Sequence, residues 1–283
     1  MENGKKYAPW FQCYAAWIPD PIRGPKALEH YRNLYAEFQK QLQENAENML
    51  QCKTIEDFLE IEMGNRQGAI FAVENGAALS GNLNVLQEMH QNGVKIMTLT
   101  WNEANEIGDG AGVEHPKGLT PFGKTVVKEM ERLGVIVDVS HASDALFYDV
   151  AQLAEKPFIA THSNCRSICN HKRNLTDEQI KIICQRNGLI GLNFTDTFLK
   201  EDGHADFSDI LRHVQHFLEL GGENILAIGS DFDGTDLPAS LFGIQSIRDL
   251  AQYFSKHAFS DELIDKIFYR NAFRFFRNYL KNQ

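Results

Sequence analysis

The sequence predicts an α/β fold of the (β/α)8 TIM-barrel type that lacks its first strand as given. Short β-rich runs alternate with amphipathic helical stretches, several of the runs are almost continuously apolar, and no linker or repeat interrupts the alternation. Such alternation is typical of parallel strands joined by helical crossovers, and apolar runs are typical of strands covered on both faces. We therefore expect one barrel domain over residues 1–283.

The strand runs number seven, one fewer than a closed β/α barrel normally has. Because Met1 stands just before the first run, we place the deficit at the N-terminus. An open doubly wound sheet is the alternative, but it usually has a glycine-rich turn after its first strand, and no run here ends in one. The predicted strands are 10–19, 68–74, 95–101, 134–141, 157–163, 188–194 and 225–232.

The helical stretches have recognisable starts and ends. Residues 25–50 carry apolar side chains at three- and four-residue spacing with charges between them, which predicts a helix with a solvated face. Thr176 with Gln179 matches a capping box, and Ser260 opens the last helix. Three glycines follow helices and precede strands, where a left-handed residue is favoured: Gly134, Gly188 and Gly221.

The composition disfavours several classes of partner. A net charge of −10 and a pI near 5.5 oppose binding to nucleic-acid phosphates. No run approaches the roughly 18 apolar residues that span a bilayer, and the N-terminus lacks the basic and apolar regions of a signal peptide. We expect a cytoplasmic protein with a small soluble substrate and without nucleic-acid or membrane partners. The sequence is compatible with a homodimer.

The five cysteines are odd in number and scattered, which is unlike a disulfide framework. Cys165 and Cys169 lie between His162 and His171, so a structural zinc cluster is an alternative. Their spacing is not that of a common zinc finger, and small buried thiols are ordinary in protein cores. We interpret both cysteines as core residues.

Chemically active side chains are expected where strands end, because a β/α barrel gathers its active site at the carboxyl ends of its strands. Four separate runs lead into Glu74, His141, His162 and Asp231. Carboxylate and imidazole groups suit a divalent ion such as zinc, and a charge at the rim of an apolar core is costly unless it is paired or bound to metal. A single histidine at a strand end is more often a hydrogen-bonded core residue, but the four together predict a metal site.

Other acidic and imidazole side chains are expected to be structural. Asp233 follows Asp231 by two residues in the segment GSDFDG, and we expect it to be structural. His213 and His216 lie three residues apart in an amphipathic helix, far from any strand end. His171, in the loop after His162, stays open.

Five long segments resemble the membrane (renal) dipeptidases, a family of the metal-dependent amidohydrolase superfamily. The resemblance extends in order along nearly the whole chain, and the segments that carry it are FAVENG, LTWNEANEIGDG, GLTPFGKTVVKEMERLGVIVDVSHAS, THSNCRSICNHKRNLTDEQI and GSDFDGTD. The resemblance implies a metal-dependent dipeptidase that hydrolyses the peptide bond of dipeptides through a metal-activated hydroxide.

The same resemblance implies roles for individual residues. Glu74 would bridge two Zn²⁺ ions, His141 and His162 would bind the second ion, and Asp231 would be the catalytic acid/base. Arg173 matches the arginine that binds the free carboxylate of the substrate, a task suited to a planar two-pronged donor. A salt bridge to a neighbouring helix is the alternative for Arg173. Two further residues complete the expected substrate-binding set: Trp101 and Asn193.

The sequence also departs from the family pattern. The family's first strand ends in an H-x-D pair that supplies two ligands to the first metal ion, and none of the seven runs ends in such a pair. Asn75 stands where many members have glycine, and Trp101 where some members have a substrate-contacting histidine. A chain that binds one ion without hydrolysis, or a hydrolase of another amide or a lactone in the same superfamily, therefore remains an alternative.

Overall fold

The computed structural model describes residues 9–64 and 66–281. The described residues form two compact units. Unit 1 contains those up to Lys156 together with those from Arg277 onward, and unit 2 runs from Pro157 to Phe276. Strands and helices alternate in both units, and the strand pairings within each are parallel, so the predicted α/β class is confirmed. Among the described helices, none is both long enough and apolar enough to cross a bilayer.

The elements follow one another with short connections. The strands are β1 (Phe11–Trp17), β2 (Met49–Gln51), β3 (Gln67–Glu74), β4 (Val94–Thr98), β5 (Ile136–Asp138), β6 (Ile159–Ala160), β7 (Leu189–Leu192) and β8 (Leu226–Ile228). The α-helices are α1 (Pro25–Glu44), α2 (Ile55–Glu62), α3 (Leu83–Gln91), α4 (Pro121–Leu133), α5 (Asp144–Leu153), α6 (Asp177–Gln185), α7 (Asp196–Leu199), α8 (Phe207–Glu219), α9 (Ser246–Lys256), α10 (Asp261–Asp265) and α11 (Asn271–Lys281). A π-helical turn, Lys266–Arg270, joins α10 to α11.

Strand β3 is the centre of the sheet in unit 1. β1 pairs along one edge of β3, β2 and β4 share the other edge, and β5 pairs with β4. Residues 67–73 are buried, as expected for a parallel strand with both faces covered. Glu74 is the last residue of β3 and its side chain is 17% exposed, so the strand delivers this carboxylate to the rim of the core.

Unit 2 contains the parallel strands β6, β7 and β8 in that order. They are short, and two glycines allow their carboxyl ends to approach closely. A Cβ on Gly191 would lie 1.9 Å from the carbonyl oxygen of Thr161, and one on Gly229 would lie 2.0 Å from the same oxygen. These positions therefore exclude any larger residue.

Two predictions about the first part of the chain were wrong. The helix predicted at 25–50 ends at Glu44, and Met49 begins β2, an eighth strand that the sequence did not reveal. Met49 and Leu50 fit the helical spacing of the preceding residues, but β2 instead pairs with the first residues of β3. A short strand that forms only because it pairs with a neighbouring strand has little pattern in its own sequence.

The predicted helix caps are mostly confirmed. Thr176 and Gln179 make both bonds of a capping box, and the Ser260 side chain accepts a hydrogen bond from the Leu263 amide. Gly134 and Gly221 are left-handed, with φ of 74° and 89°. Gly188 is not, because Asn187 takes the left-handed position with φ of 53°; a Cβ on Gly188 would instead lie 2.2 Å from the Phe158 carbonyl oxygen.

Candidate metal centre

Unit 1 brings Glu74 and His141 into direct contact. The Nε2 atom of His141 lies 3.1 Å from Oε1 of Glu74, and its Nδ1 atom lies 3.0 Å from Oδ1 of Asn102. Asn102 was not among the site residues predicted from the sequence. An amide oxygen accepts but never donates, so the Asn102 contact requires that His141 carry its proton on Nδ1.

This arrangement suits a cation. With a proton on Nδ1, Nε2 of His141 faces a carboxylate oxygen 3.1 Å away, a separation at which either a proton or a metal ion between the two atoms is favourable. Histidines that ligate metals usually donate their second ring N–H to an oxygen in this way. Glu74 and His141 therefore fit a divalent ion.

His141 does not lie on a strand, contrary to the sequence prediction. β5 ends at Asp138, and His141 occupies a turn with φ of 66°, which is uncommon for a residue with a side chain. The carbonyl oxygen of His141 accepts hydrogen bonds from the Ala111 amide and, at 3.4 Å, from the Thr100 hydroxyl. Contacts with the loop after β4 thus hold His141 in a left-handed conformation, which typically costs about 1–3 kcal/mol of free energy.

Two polar residues for which the sequence predicted no role support the rim of β3. Asp138 is fully buried and accepts hydrogen bonds from the Thr98 hydroxyl at 2.6 Å and the Ser140 amide at 3.0 Å. Asn75 has φ of 83°, and its buried side chain donates to the Ile18 carbonyl and accepts from the Ala77 amide. Asparagine tolerates this conformation better than most residues, which explains how it replaces glycine here.

Unit 2 contains His162 and Arg173. His162 is two residues beyond β6, and its Nδ1 atom lies 2.7 Å from the Thr161 hydroxyl. Arg173 is buried, donates from Nη2 to the His162 carbonyl oxygen at 3.3 Å and lies over the Phe198 ring, 5.6 Å from its centroid. Its guanidinium thus interacts with a backbone carbonyl and with an aromatic face.

Asp231 and Asn193 contact each other in unit 2. Nδ2 of Asn193 donates to Oδ2 of Asp231 at 3.4 Å, and Oδ1 of Asn193 accepts from the Thr195 amide. Asp231 lies in a turn three residues after β8 with φ of 58°, and Asp233 has φ of 68°. Asp231 and Asp233 therefore lie in a turn and not on a strand, so alternation of side chains along a strand does not set their directions.

Two histidines set aside as structural are hydrogen-bonded within unit 2. His213 is fully buried, and both ring nitrogens have backbone partners, the Cys165 amide at 3.2 Å and the Leu199 carbonyl at 3.1 Å. Burial lowers its pKa to about 4. His216 contacts Asp177 and Ser167 at 2.9 Å each. The structural interpretation of both histidines agrees with these contacts.

The proposed cysteine cluster does not suit a metal ion. The thiols of Cys165 and Cys169 donate to backbone carbonyls of His213 and Thr197, and burial raises the pKa of each thiol. Metal ligation needs the thiolate. The ring of His171 stacks on Phe198, with ring centroids 4.3 Å apart.

An H-x-D sequence does occur once in the chain, at His204 and Asp206. It lies in the loop before α8 and not at a strand end. Asp206 caps that helix by accepting a hydrogen bond from the Ser208 amide at 2.7 Å. Its carboxylate is therefore committed to helix capping, and this pair does not replace the one that ends the family's first strand.

The sequence profile of the membrane dipeptidases, peptidase family M19, matches residues 8–283. This chain belongs to the membrane dipeptidase family. Its fold class is therefore the TIM-barrel class of the M19 dipeptidases, and its function is that of a metal-dependent dipeptidase. The expectations drawn from the five sequence segments are confirmed at this level.

Individual relatives agree with the family assignment. The crystal structure of dipeptidase AC, an M19 metallopeptidase, is 26% identical with a TM-score of 0.91 over 95% of this chain and 86% of that one. A Rhodobacter sphaeroides metallopeptidase, solved with a phosphinate mimic of the dipeptide L-Ala-D-Ala, is 25% identical with a TM-score of 0.89 over 95% and 85%. A Klebsiella pneumoniae protein described as uncharacterized, from the pqqA 5′ region, is 33% identical over 216 residues, 73% of this chain and 80% of the relative.

Proposed function

We propose that the dipeptidase activity of this chain depends on zinc held by Glu74, His141 and His162, with Asp231 as the acid/base. The contact between Glu74 and His141, with Asn102 fixing the ring, is the observation that carries the proposal. The three ligands offer one carboxylate oxygen and two imidazole nitrogens, a donor set that suits zinc. His162 has its Nδ1 atom against the Thr161 hydroxyl, and we assign its Nε2 atom as the ligand.

Bound divalent ions would supply a water of lowered pKa and polarise the scissile carbonyl. The family uses two ions, and we propose at least one here. Asp231 is suited to accept a proton and return it to the leaving amine, because it lies in a fixed turn and Asn193 orients its carboxylate. Family membership over residues 8–283 supports a single catalytic domain.

Arg173 is proposed to bind the free carboxylate of the dipeptide. Its guanidinium is buried and lies over the Phe198 ring, so a carboxylate that reaches it would be bound away from bulk water, where charged hydrogen bonds are strong. Trp101 and Asn193 are proposed to contact the rest of the substrate. Cleavage limited to short peptides follows, because a longer chain lacks a carboxylate at that position.

The proposal extends to the cellular setting. All five cysteines are free thiols, which supports a reducing compartment such as the cytoplasm. A homodimer stays a prediction that sedimentation analysis of the purified protein would test.

The test compares Glu74→Gln with Glu37→Gln, a matched change at an exposed position on α1. Bound metal is measured by mass spectrometry and hydrolysis is followed with Ala–Ala. We expect Glu74→Gln to lose metal and about a thousand-fold in kcat/KM, because metal assistance contributes several kcal/mol, whereas Glu37→Gln keeps both. Arg173→Ala should raise KM for dipeptides.

Three results would contradict parts of the proposal. Wild-type protein that binds metal without cleaving any dipeptide would be a binding protein. Cleavage of lactones in preference to dipeptides would point to another reaction. Full activity of Glu74→Gln with metal still bound would remove Glu74 from the ligand set.

A further inference from the structure

Two tryptophans, one exposed and one half-buried, form an aromatic surface at the rim of unit 1. Trp17, at the end of β1, is 41% exposed, and Trp101 follows β4. An indole is the largest apolar side chain, so an exposed one leaves a large area for a ligand to cover. No role was predicted for Trp17 from the sequence.

Strand register places Trp17 beside the proposed metal ligand. Trp17 pairs with Glu74 across the parallel strands β1 and β3, and Glu74 pairs with Thr98 of β4. Residues in register on neighbouring parallel strands direct their side chains to the same face of a sheet. Trp17 and Glu74 therefore share one face at the carboxyl ends of their strands.

The second tryptophan connects this surface to His141. The rings of Trp17 and Trp101 meet edge to face, with centroids 5.1 Å apart and planes at 69°. The Trp101 ring lies 6.0 Å from the His141 ring. The aromatic surface is thus continuous with the polar pair formed by Glu74 and His141.

The tryptophan pair is held in place by the segments that carry it. Asp20, three residues after Trp17, accepts a hydrogen bond from the Glu103 amide at 3.1 Å. The backbone of Trp101 packs against Gly110 so closely that a Cβ there would lie 2.2 Å from the Trp101 carbonyl oxygen. A surface fixed in advance loses little entropy when it binds a ligand.

We propose that Trp17 and Trp101 form a subsite for a large apolar side chain of the substrate, so that the enzyme prefers dipeptides with a bulky aliphatic or aromatic residue. This inference rests on the proposed function. The peptide bond lies at the polar end near Glu74 and His141, and the side chain covers the indoles. Removing both surfaces from water stabilises the complex in proportion to the apolar area buried.

The experiment measures kcat/KM for Leu–Gly, Gly–Leu and Gly–Gly with the zinc-loaded enzyme. Trp17→Ala is compared with Trp17→Phe and with Trp10→Ala, a matched change at the opposite end of the same strand region. The preference for leucine is the kcat/KM for Leu–Gly, or for Gly–Leu, divided by the kcat/KM for Gly–Gly. We expect at least one of these two ratios to fall about ten-fold in Trp17→Ala. Trp17→Phe should keep part of the preference, and Trp10→Ala all of it.

Binding gives a second measurement that does not need turnover. In a Trp10→Phe background the remaining tryptophans are Trp17 and Trp101. Their fluorescence should shift on addition of the phosphinate analogue of Leu–Gly and much less with that of Gly–Gly. The shift should disappear in Trp17→Ala while the circular dichroism spectrum of the protein stays the same.

The outcomes separate this inference from the proposed function. Active enzyme whose leucine preference survives Trp17→Ala in both series overturns the subsite and leaves the dipeptidase proposal standing. If no dipeptide is hydrolysed, the proposed function fails, and the fluorescence measurement then tests the subsite by itself. A larger shift with the Leu–Gly analogue than with the Gly–Gly analogue supports the subsite, and equal shifts with the two analogues overturn it. A Trp17→Ala variant that changes oligomeric state with an unchanged preference would assign Trp17 to a contact between copies and overturn the subsite.

Discussion

The two units position their candidate residues by different means. In unit 1, Glu74 is the last residue of a strand paired on both edges, and β1 and β4 meet it in register. In unit 2, β6 has two residues and β8 has three, and His162 and Asp231 both lie beyond the strand ends. Long strand pairing therefore fixes Glu74, and turns and polar side chains must fix His162 and Asp231.

A pair of buried asparagines is central to that second group. Asn164 donates from its side chain to the Asn193 carbonyl at 2.9 Å, and its side-chain oxygen accepts from the Asn193 amide at the same distance. Asn193 in turn donates to Asp231. Since a buried polar network is strong only when all its members are satisfied, unit 2 should tolerate polar substitutions less well than unit 1.

The largest expected effect is on catalysis in unit 2. Asp231→Asn removes the group that carries the proton, so kcat for dipeptides should fall about 100- to 10,000-fold with bound metal unchanged. Asp233→Asn is the matched control, because Asp233 lies in the same turn with an exposed side chain. Equal losses in both variants would show that the turn, and not the Asp231 carboxylate, matters.

The next effect concerns the stability of unit 2 against acid. Burial holds the pKa of His213 at about 4, below the ordinary value of 6.5. Between pH 6.5 and pH 4 the unfolded chain therefore binds a proton at His213 that the folded chain does not bind. The stability that the protein has above pH 6.5 is for this reason partly lost as the pH falls toward 4. The loss is about 3 kcal/mol in the free energy of unfolding.

His213→Gln removes that titrating group and should make the free energy of unfolding less dependent on pH between 4 and 6.5. Urea denaturation followed by circular dichroism at several pH values measures it. His257→Gln, at an exposed histidine near the end of α9, should keep the wild-type pH dependence. An unchanged slope in His213→Gln would mean that His213 is protonated in the folded protein.

The smallest expected effect tests ring orientation in the two units. Asn102→Ala releases Nδ1 of His141 in unit 1, and Thr161→Val releases Nδ1 of His162 in unit 2. Loss of such a partner typically weakens metal binding 10- to 100-fold, measured by competition with a chelator. Asn84→Ala, at an exposed asparagine on α3, is the control. If only one of the two variants loses metal affinity, the histidine affected by the other variant does not bind the metal.

Much of the fold was predictable because its signals are local. Apolar runs marked seven of the eight strands, and the Thr176 capping box marked the start of α6. β2 was missed because three residues after a long helix carry no pattern of their own, and pairing with β3 creates the strand. Strand ends were predicted too late at His141 and Asp231, because left-handed conformations at residues other than glycine have no reliable sequence signature.

The sequence alone determined the family, the α/β class and the residue types that could bind a metal, because those depend on composition, spacing and long matched segments. Only the tertiary structure decided that Asn102 orients His141, that Asp138 is hydrogen-bonded to Thr98, and that Trp17 lies beside Glu74. Each of these contacts joins residues 39 to 57 positions apart in the chain. Strand register and loop packing bring such residues together, and neither can be read from the residues on one side of the contact.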